Sequence, residues 1–182
     1  PWHGLGNNLT ENADIDTWKV EAGMTWRAIA APVHFTSETT GETYFCDDKF
    51  VLHRSDNDAM LGIVGDTYKP VQPGDVLEFF RDITELGQFQ METAGSLFGG
   101  RKLWALAKSQ SEGTVGGEAG DQINPYLLLA TSLDGTMATT AQFTTVRVVC
   151  NNTLQLALHG QATDRVKITH RGRFNQQAVK KQ

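Results

Sequence analysis

Residues 144–159 read TTVRVVCNNTLQLALH, and the period assigned to them decides the fold. Val146, Val148 and Val149 carry the β-branched signal of a strand. The spacing points to a helix instead. Val146, Val149, Cys150, Thr153, Leu154, Ala157 and Leu158 follow the i, i+3, i+4, i+7 stripe of an amphipathic helix. Thr144 is placed to cap its start and Gly160 to stop it. Each β-branched residue costs a helix roughly a few tenths of a kcal/mol, and burial of the apolar face outweighs that. The spacing therefore predicts a helix over 144–159. Its other side carries Arg147, Asn151, Gln155 and His159 at every fourth position, with one fixed positive charge and no carboxylate. Such a stripe is ordinarily a solvated face. It also suits phosphates, because Arg matches their geometry and Asn and Gln donate to backbone oxygens.

Working back from this helix, the sequence alternates between hairpin signals and one more helix. Tyr126–Leu133 and Thr136–Phe143 flank Asp134-Gly135, and Phe89–Phe98 and Arg101–Ser109 flank Gly99-Gly100, both two-residue hairpin signals. The glycine-rich run 110–124 reads as a loop or an extended hairpin tip. Pro73–Leu86 has proline in its first turn, acids Asp75 and Glu78 near the positive end, and an apolar face of Val76, Phe79, Phe80 and Ile83, which predicts a second helix ended by Gly87. Trp26–Phe35, Thr43–Arg54 and Met60–Tyr68 are extended runs joined by polar turns at 39–42 and 55–58, short enough for an antiparallel meander. Asp56-Asn57-Asp58 lacks the downstream Gly and Glu of a calcium loop, so it reads as a turn. A short helix is expected over Ile15–Ala22, capped by Asp14 and stopped by Gly23. The fold class is α+β: antiparallel meanders with packed helices, a βββα core followed by β-hairpins and a second long helix. One domain is expected over 1–175, with a basic tail over 176–182.

Charge is unevenly spread. The chain of 182 residues has net charge −5, and its end, Asp164–Gln182, holds six basic residues against one acid. That end is +5, which leaves −10 on residues 1–163. The molecule as a whole is not a basic nucleic-acid coat, so any anion-binding surface is a local patch. A basic end on an acidic body is a footprint that nucleic-acid binding leaves. Val166-Lys167-Ile168 is a candidate strand within it. No apolar run approaches the ~20 residues that span a bilayer. Cys46 and Cys150 are the two cysteines and form no CxxC pair, which fits a reduced, cytoplasmic protein. A chain that opens on Pro1 is compatible with a piece of something longer.

Catalytic signatures are missing. No GxSxG, HExxH, Walker or GxGxxG motif occurs, and His3, His34, His53, His159 and His170 show no metal-ligand spacing. A binding module is favoured over an enzyme, and neither cofactor nor metal is expected.

PWHGLG at the start, TAGSLFGGRKLWALA in the middle, and LLLATSLDG followed by FTTVRVVCNNTL later resemble the phage- and plasmid-borne proteins of the domain-of-unknown-function family 932. The likeness runs from Pro1 to about Arg171, and RVVCNNTL is its most specific part. At the level of pattern alone, a βββα unit whose first strand begins at Trp26 looks like the core of single-strand annealing proteins, the superfamily of the RAD-fifty-two recombination mediator, Red-beta and RecT. That resemblance implies subunits joined in rings or helical filaments. It also implies single-stranded DNA held along a positive groove with its bases free to pair.

The expectation is an ATP-independent single-strand annealing protein of a phage or plasmid in a bacterial cytoplasm. Its partners would be single-stranded DNA and further copies of itself. Arg147, Asn151 and Gln155 are the first candidates for DNA contact. Arg101, Lys102 and Lys108 on the central hairpin follow, then Lys49 and Arg54. Arg165, Lys167, Arg171 and Arg173 would supply general attraction. The alternative is a protein-interaction or anti-defence module of a mobile element whose acidic body is the binding surface.

Overall fold

Hairpin chemistry organises the observed architecture. In this computed structural model residues 6–85, 88–110 and 125–160 are described, with the backbone alone of 165–168. The strands are β1 (Asn7–Asn8), β2 (Ala28–Thr36), β3 (Thr43–Arg54), β4 (Met60–Gly65), β5 (Phe89–Leu97), β6 (Lys102–Ser109), β7 (Tyr126–Ser132), β8 (Thr139–Thr144) and β9 (Arg165–Ile168). The helices are α1 (Ile15–Glu21), α2 (Pro73–Glu85) and α3 (Asn151–His159). One antiparallel sheet has the order β1-β5-β6-β7-β8-β9 and the other β2-β3-β4. The fold is α+β, with the βββα and ββββα order expected from the turn signals.

The six-stranded sheet is covered on both faces. Leu103, Ala105 and Ala107 of β6 face a core built with α2 (Val76, Leu77, Phe79, Phe80), α1 (Trp18) and the small sheet (Leu52, Leu61, Val64). Trp104 and Leu106 alternate to the other face and pack with Leu128, Ala130, Val148, Leu154, Ala157 and Leu158. Burial on both faces explains why β6 and β7 read as nearly continuous apolar runs. At Gly62 a Cβ would lie 2.7 Å from Asp134 Cα, so only glycine lets the small sheet approach the β7–β8 turn this closely.

α1 matches its signals: the Asp14 carboxylate accepts from the Thr17 N–H at 2.7 Å, and Gly23 takes φ 66° just past the end. α2 starts on Pro73 and buries Val76, Phe79, Phe80 and Ile83 as the spacing required. The Gly99-Gly100 hairpin is longer than expected. Phe98–Gly100 form a 3-10 turn with φ of 53°, 70° and 107° in succession. At Gly100 an added Cβ would strike the Trp26 ring at 2.7 Å. The third run of the first meander ends at Gly65 rather than Tyr68, and β8 begins at Thr139 rather than Thr136. There Asp134 accepts from the Thr136 N–H and hydroxyl and holds the chain in a polar turn.

The largest correction falls on the deciding stretch. The helix covers 151–159, not 144–159. Thr144 is the last residue of β8, paired with Tyr126, and is not a cap. Val146–Val149 belong to no strand or helix: the chain bends at 145–146, where the Val146 N–H donates to the Thr144 hydroxyl at 3.1 Å, and then runs irregularly to α3. Val148 is fully buried, and its carbonyl accepts from the Thr93 hydroxyl at 2.8 Å. Neither the strand signal nor the helical period holds at 146–149, because burial of Val148 against the sheet and its hydrogen bond from Thr93 give this segment irregular packing of its own. Thr153 starts the helix: its Oγ1 accepts from the N–H groups of Val149 (2.9 Å) and Cys150 (3.0 Å), a capping box with Cys150 in the N-cap position. Within 151–159 the expected face holds, since Leu154, Ala157 and Leu158 are buried.

Candidate nucleic-acid interface

The polar stripe of the predicted long helix does not survive as one surface. Arg147 lies before α3, with its Nε donating to Glu92 Oε1 at 2.7 Å and its Nη2 to Asn8 Oδ1 at 3.0 Å. Glu92 is the extra residue where β5 slips register between Met91 and Thr93, and such a bulge re-aims a side chain. Sequence spacing on the helix could not reveal this carboxylate, because it comes from a distant strand. Asn151 opens α3 half-buried, with its Oδ1 enclosed and without a hydrogen-bond partner.

Two other candidates are also engaged within the chain. Arg54 forms a fork with Asp56 (2.9 and 2.6 Å), donates to the Gly99 carbonyl at 3.1 Å, and lies 4.3 Å above the Trp26 ring. It pins the 55–58 turn and the 3-10 turn to the small sheet. Lys49 pairs with Asp48 at 2.8 Å. These groups bring little free positive potential to a phosphate.

What the fold does bring together is Lys102, Gln155 and His159. With Thr136, Met137, Thr140 and Leu158 they line an open cleft of about 310 Å³ where β6, the β7–β8 turn and the end of α3 meet. β6 supplies Lys102 on the face that α3 covers, and the helical repeat supplies Gln155 and His159 four residues apart. Lys102 Nζ sits 5.6 Å from the Phe98 ring centre. Arg101, Lys102 and Lys108 make no ion pair with a carboxylate among the described residues. Burial raises the Asp134 carboxyl, but hydrogen bonds from Thr136 and Ser132 and the Lys102 charge leave it below its ordinary value. Lys108 is at the opposite end of β6, paired with Tyr126, about 20 Å away at strand rise.

The backbone register of β9 sets Lys167 opposite Thr140 and Arg165 opposite Gln142. The strand expected at 166–168 is present, and its basic sequence runs beside the strand that lines the cleft. Arg171, Arg173 and the tail from Gln176 lie outside the described residues, as does the glycine-rich run 111–124. His159 and Thr140 were not among the expected DNA contacts. Their signal was the four-residue repeat for His159, and a partner-strand register invisible in sequence for Thr140.

Chemically, the cleft offers one ammonium, an amide and an imidazole beside the apolar side chains of Met137 and Leu158, while the Thr136 and Thr140 hydroxyls that also line it donate to the Asp134 carboxylate and the Ala138 carbonyl. That set can hold an anionic oxygen and cover a small apolar surface. No group of His, Cys, Asp and Glu suited to a metal occurs among the described residues, and no helix there is long and apolar enough to cross a membrane.

A family model described as Domain of unknown function (DUF932) matches residues 60–182, more than half of the chain. The match takes in every residue of the cleft and the RVVCNNTL run, and starts after β2 and β3. No curated protein and no solved structure matches the chain.

Proposed function

For a chain that belongs to the DUF932 family, we propose a non-covalent role: binding single-stranded DNA and promoting its annealing without ATP, in the bacterial host of a phage or plasmid. The observation that carries the reading is the convergence of Lys102, Gln155 and His159 on one open cleft in an otherwise acidic body. A phosphate in that cleft would meet the Lys102 ammonium and the Gln155 amide. Contacts of this kind engage the backbone and leave the bases to pair. The basic sequence of β9 and of the residues after it would draw the strand toward the cleft. No step in this role breaks a covalent bond, so it calls for no catalytic residue or cofactor.

The test is a salt-titrated binding assay with single-stranded DNA, duplex DNA and RNA, followed by annealing of complementary strands. Single-strand preference with accelerated annealing supports the reading. Equal, weak binding to all three without annealing would sink it. The alternative of a protein-interaction or anti-defence module rests on the acidic body, −10 over residues 1–163, and predicts no measurable affinity for any polynucleotide.

A further inference from the structure

The distal half of the β2–β3 hairpin stands apart from both cores. β4 pairs only with Lys49–His53 of β3. On the other side the register jumps from Pro32↔Phe50 to Val33↔Cys46, so Asp47, Asp48 and Lys49 form a bulge. Beyond it, Val33–Cys46 is a two-stranded ribbon. Phe35 stacks on Tyr44 on one face (5.5 Å between ring centres), and His34 meets Phe45 on the other (5.7 Å). Phe35, Tyr44 and Phe45 are 55%, 43% and 67% exposed. A two-stranded ribbon alone is marginal in water, and aromatic surface on both of its faces is what association buries.

Charge decides what covers it. Glu38 and Glu42 lie at the ribbon's turn and Asp47 and Asp48 at its base, while Lys49 is taken up by Asp48. An acidic ribbon repels phosphate, which argues against bases stacking there. It also repels a second ribbon, which argues against a symmetric ribbon-to-ribbon contact. It fits a basic strand edge. This chain has one: among the described residues β9 is the outermost strand of the large sheet, and it carries Arg165 and Lys167 in a stretch whose one acid is Asp164.

We propose that the acidic, aromatic ribbon Val33–Cys46 of one copy docks on the basic edge strand β9 of a second copy. Strand addition to an open edge supplies backbone hydrogen bonds, and the charges set the pairing. The two surfaces differ, so the contact is heterologous and repeats from copy to copy into a ring or an open array. The assembly needs no nucleic acid and is tested without it, so its failure and that of the DNA reading are separable.

The experiment is sedimentation of the full chain at rising concentration in the absence of nucleic acid. Mass should grow with concentration and fall as salt screens the charges. Glu38→Lys with Glu42→Lys should weaken association about tenfold or more, as should Arg165→Glu with Lys167→Glu, because like charges then face each other. Mixing these two variants should restore association, since the native ribbon of one meets the native edge of the other and the two reversed surfaces, a basic ribbon and an acidic edge, are again complementary. Phe45→Ser, on an exposed side chain, should weaken association with an unchanged circular dichroism spectrum, and it keeps the test open if the β9 variant misfolds. A monomer at every concentration, ribbon variants that associate like the wild type, or two folded variants that fail to pair on mixing would each overturn the proposal.

Discussion

Arg147 and Glu92 are joined across 2.7 Å, and the same guanidinium reaches Asn8 on the neighbouring strand. Two segments far apart in sequence are thereby clasped at the edge of the large sheet, β1–β5 on one side and the chain entering α3 on the other. Arg147 is an internal tie before it is a ligand for anything else.

Arg147→Ala should therefore lower stability by about 1 kcal/mol, the discounted worth of a half-exposed pair. It should leave the salt dependence of any DNA binding unchanged. Urea unfolding measures the first, and binding titrations at several salt concentrations the second. Arg147→Lys should recover only part of the stability, since one ammonium cannot span both acceptors as the guanidinium does.

Leu154 is fully buried on α3, and Gln155 beside it is half-buried at the cleft. Leu154→Ala should cost ~2–5 kcal/mol and Gln155→Ala about 0.5 kcal/mol or less. Equal costs in denaturant melts would mean that the helix presents a different face.

Thr153 caps α3 and also holds the Cys150 thiol below its ordinary pKa, through its hydroxyl and then its backbone N–H. Thr153→Ala removes the hydroxyl. The pH at which Cys150 is half-alkylated should move upward, and stability should fall by about 1 kcal/mol. Thr153→Ser should restore both. Mass spectrometry of iodoacetamide-treated protein across a pH series reads the first effect.

Asp14 caps α1, and the Thr17 N–H and side chain hold its carboxyl below the ordinary 3.8. A depressed folded-state pKa contributes stability that is complete above the unfolded value and is lost as pH falls through the folded one. Asn caps a helix about as well as Asp but does not titrate. Asp14→Asn should keep neutral-pH stability and make the acid limb of the stability profile shallower. An identical acid limb in the variant would assign the loss to other carboxylates.

Turns and caps were the legible part of this sequence. Asp14 and Gly23 bound α1, Pro73 opens α2, and Asp134-Gly135 joins β7 to β8, because each is local chemistry between a residue and its own backbone. Residues 144–159 were misread at their start, since seven positions matched a helical period and the competing force, burial of Val148 under Thr93, comes from a strand 55 residues away. The site was legible only in fragments. Lys102 and Gln155 could be named, but nothing in their spacing says that β6 and α3 meet. Arg147 and Arg54 were named for their charge, and the carboxylates that occupy them depend on a bulge in one case and a turn in the other. The exposed aromatic ribbon was hidden as well: an extended run over Trp26–Phe35 does not say which of its apolar residues find a core, and Ile29 and Phe35 lie open to solvent.

Lys102 is where the reading of the cleft is most exposed to failure. It stands beside Gln155 and His159 and makes no direct ion pair among the described residues, its charge being felt by Asp134 only at longer range, so it is more available to a ligand than those of Arg147, Arg54 and Lys49. If single-stranded DNA lies in this cleft, Lys102→Ala should weaken binding to all sequences alike, because a phosphate contact carries no sequence information. It should also reduce the log–log salt slope by ~0.7, the counterion release of one phosphate on a single strand. Lys108→Ala, on the same strand face but about 20 Å away, should change the slope only if the bound strand runs the length of β6. The pair thus reports direction as well as contact. Loss at Lys102 alone puts the strand across the sheet's end, and loss at both puts it along β6. If neither substitution changes the slope while removal of residues 176–182 abolishes binding, the attraction belongs to the basic end of the chain, and the cleft is not the site.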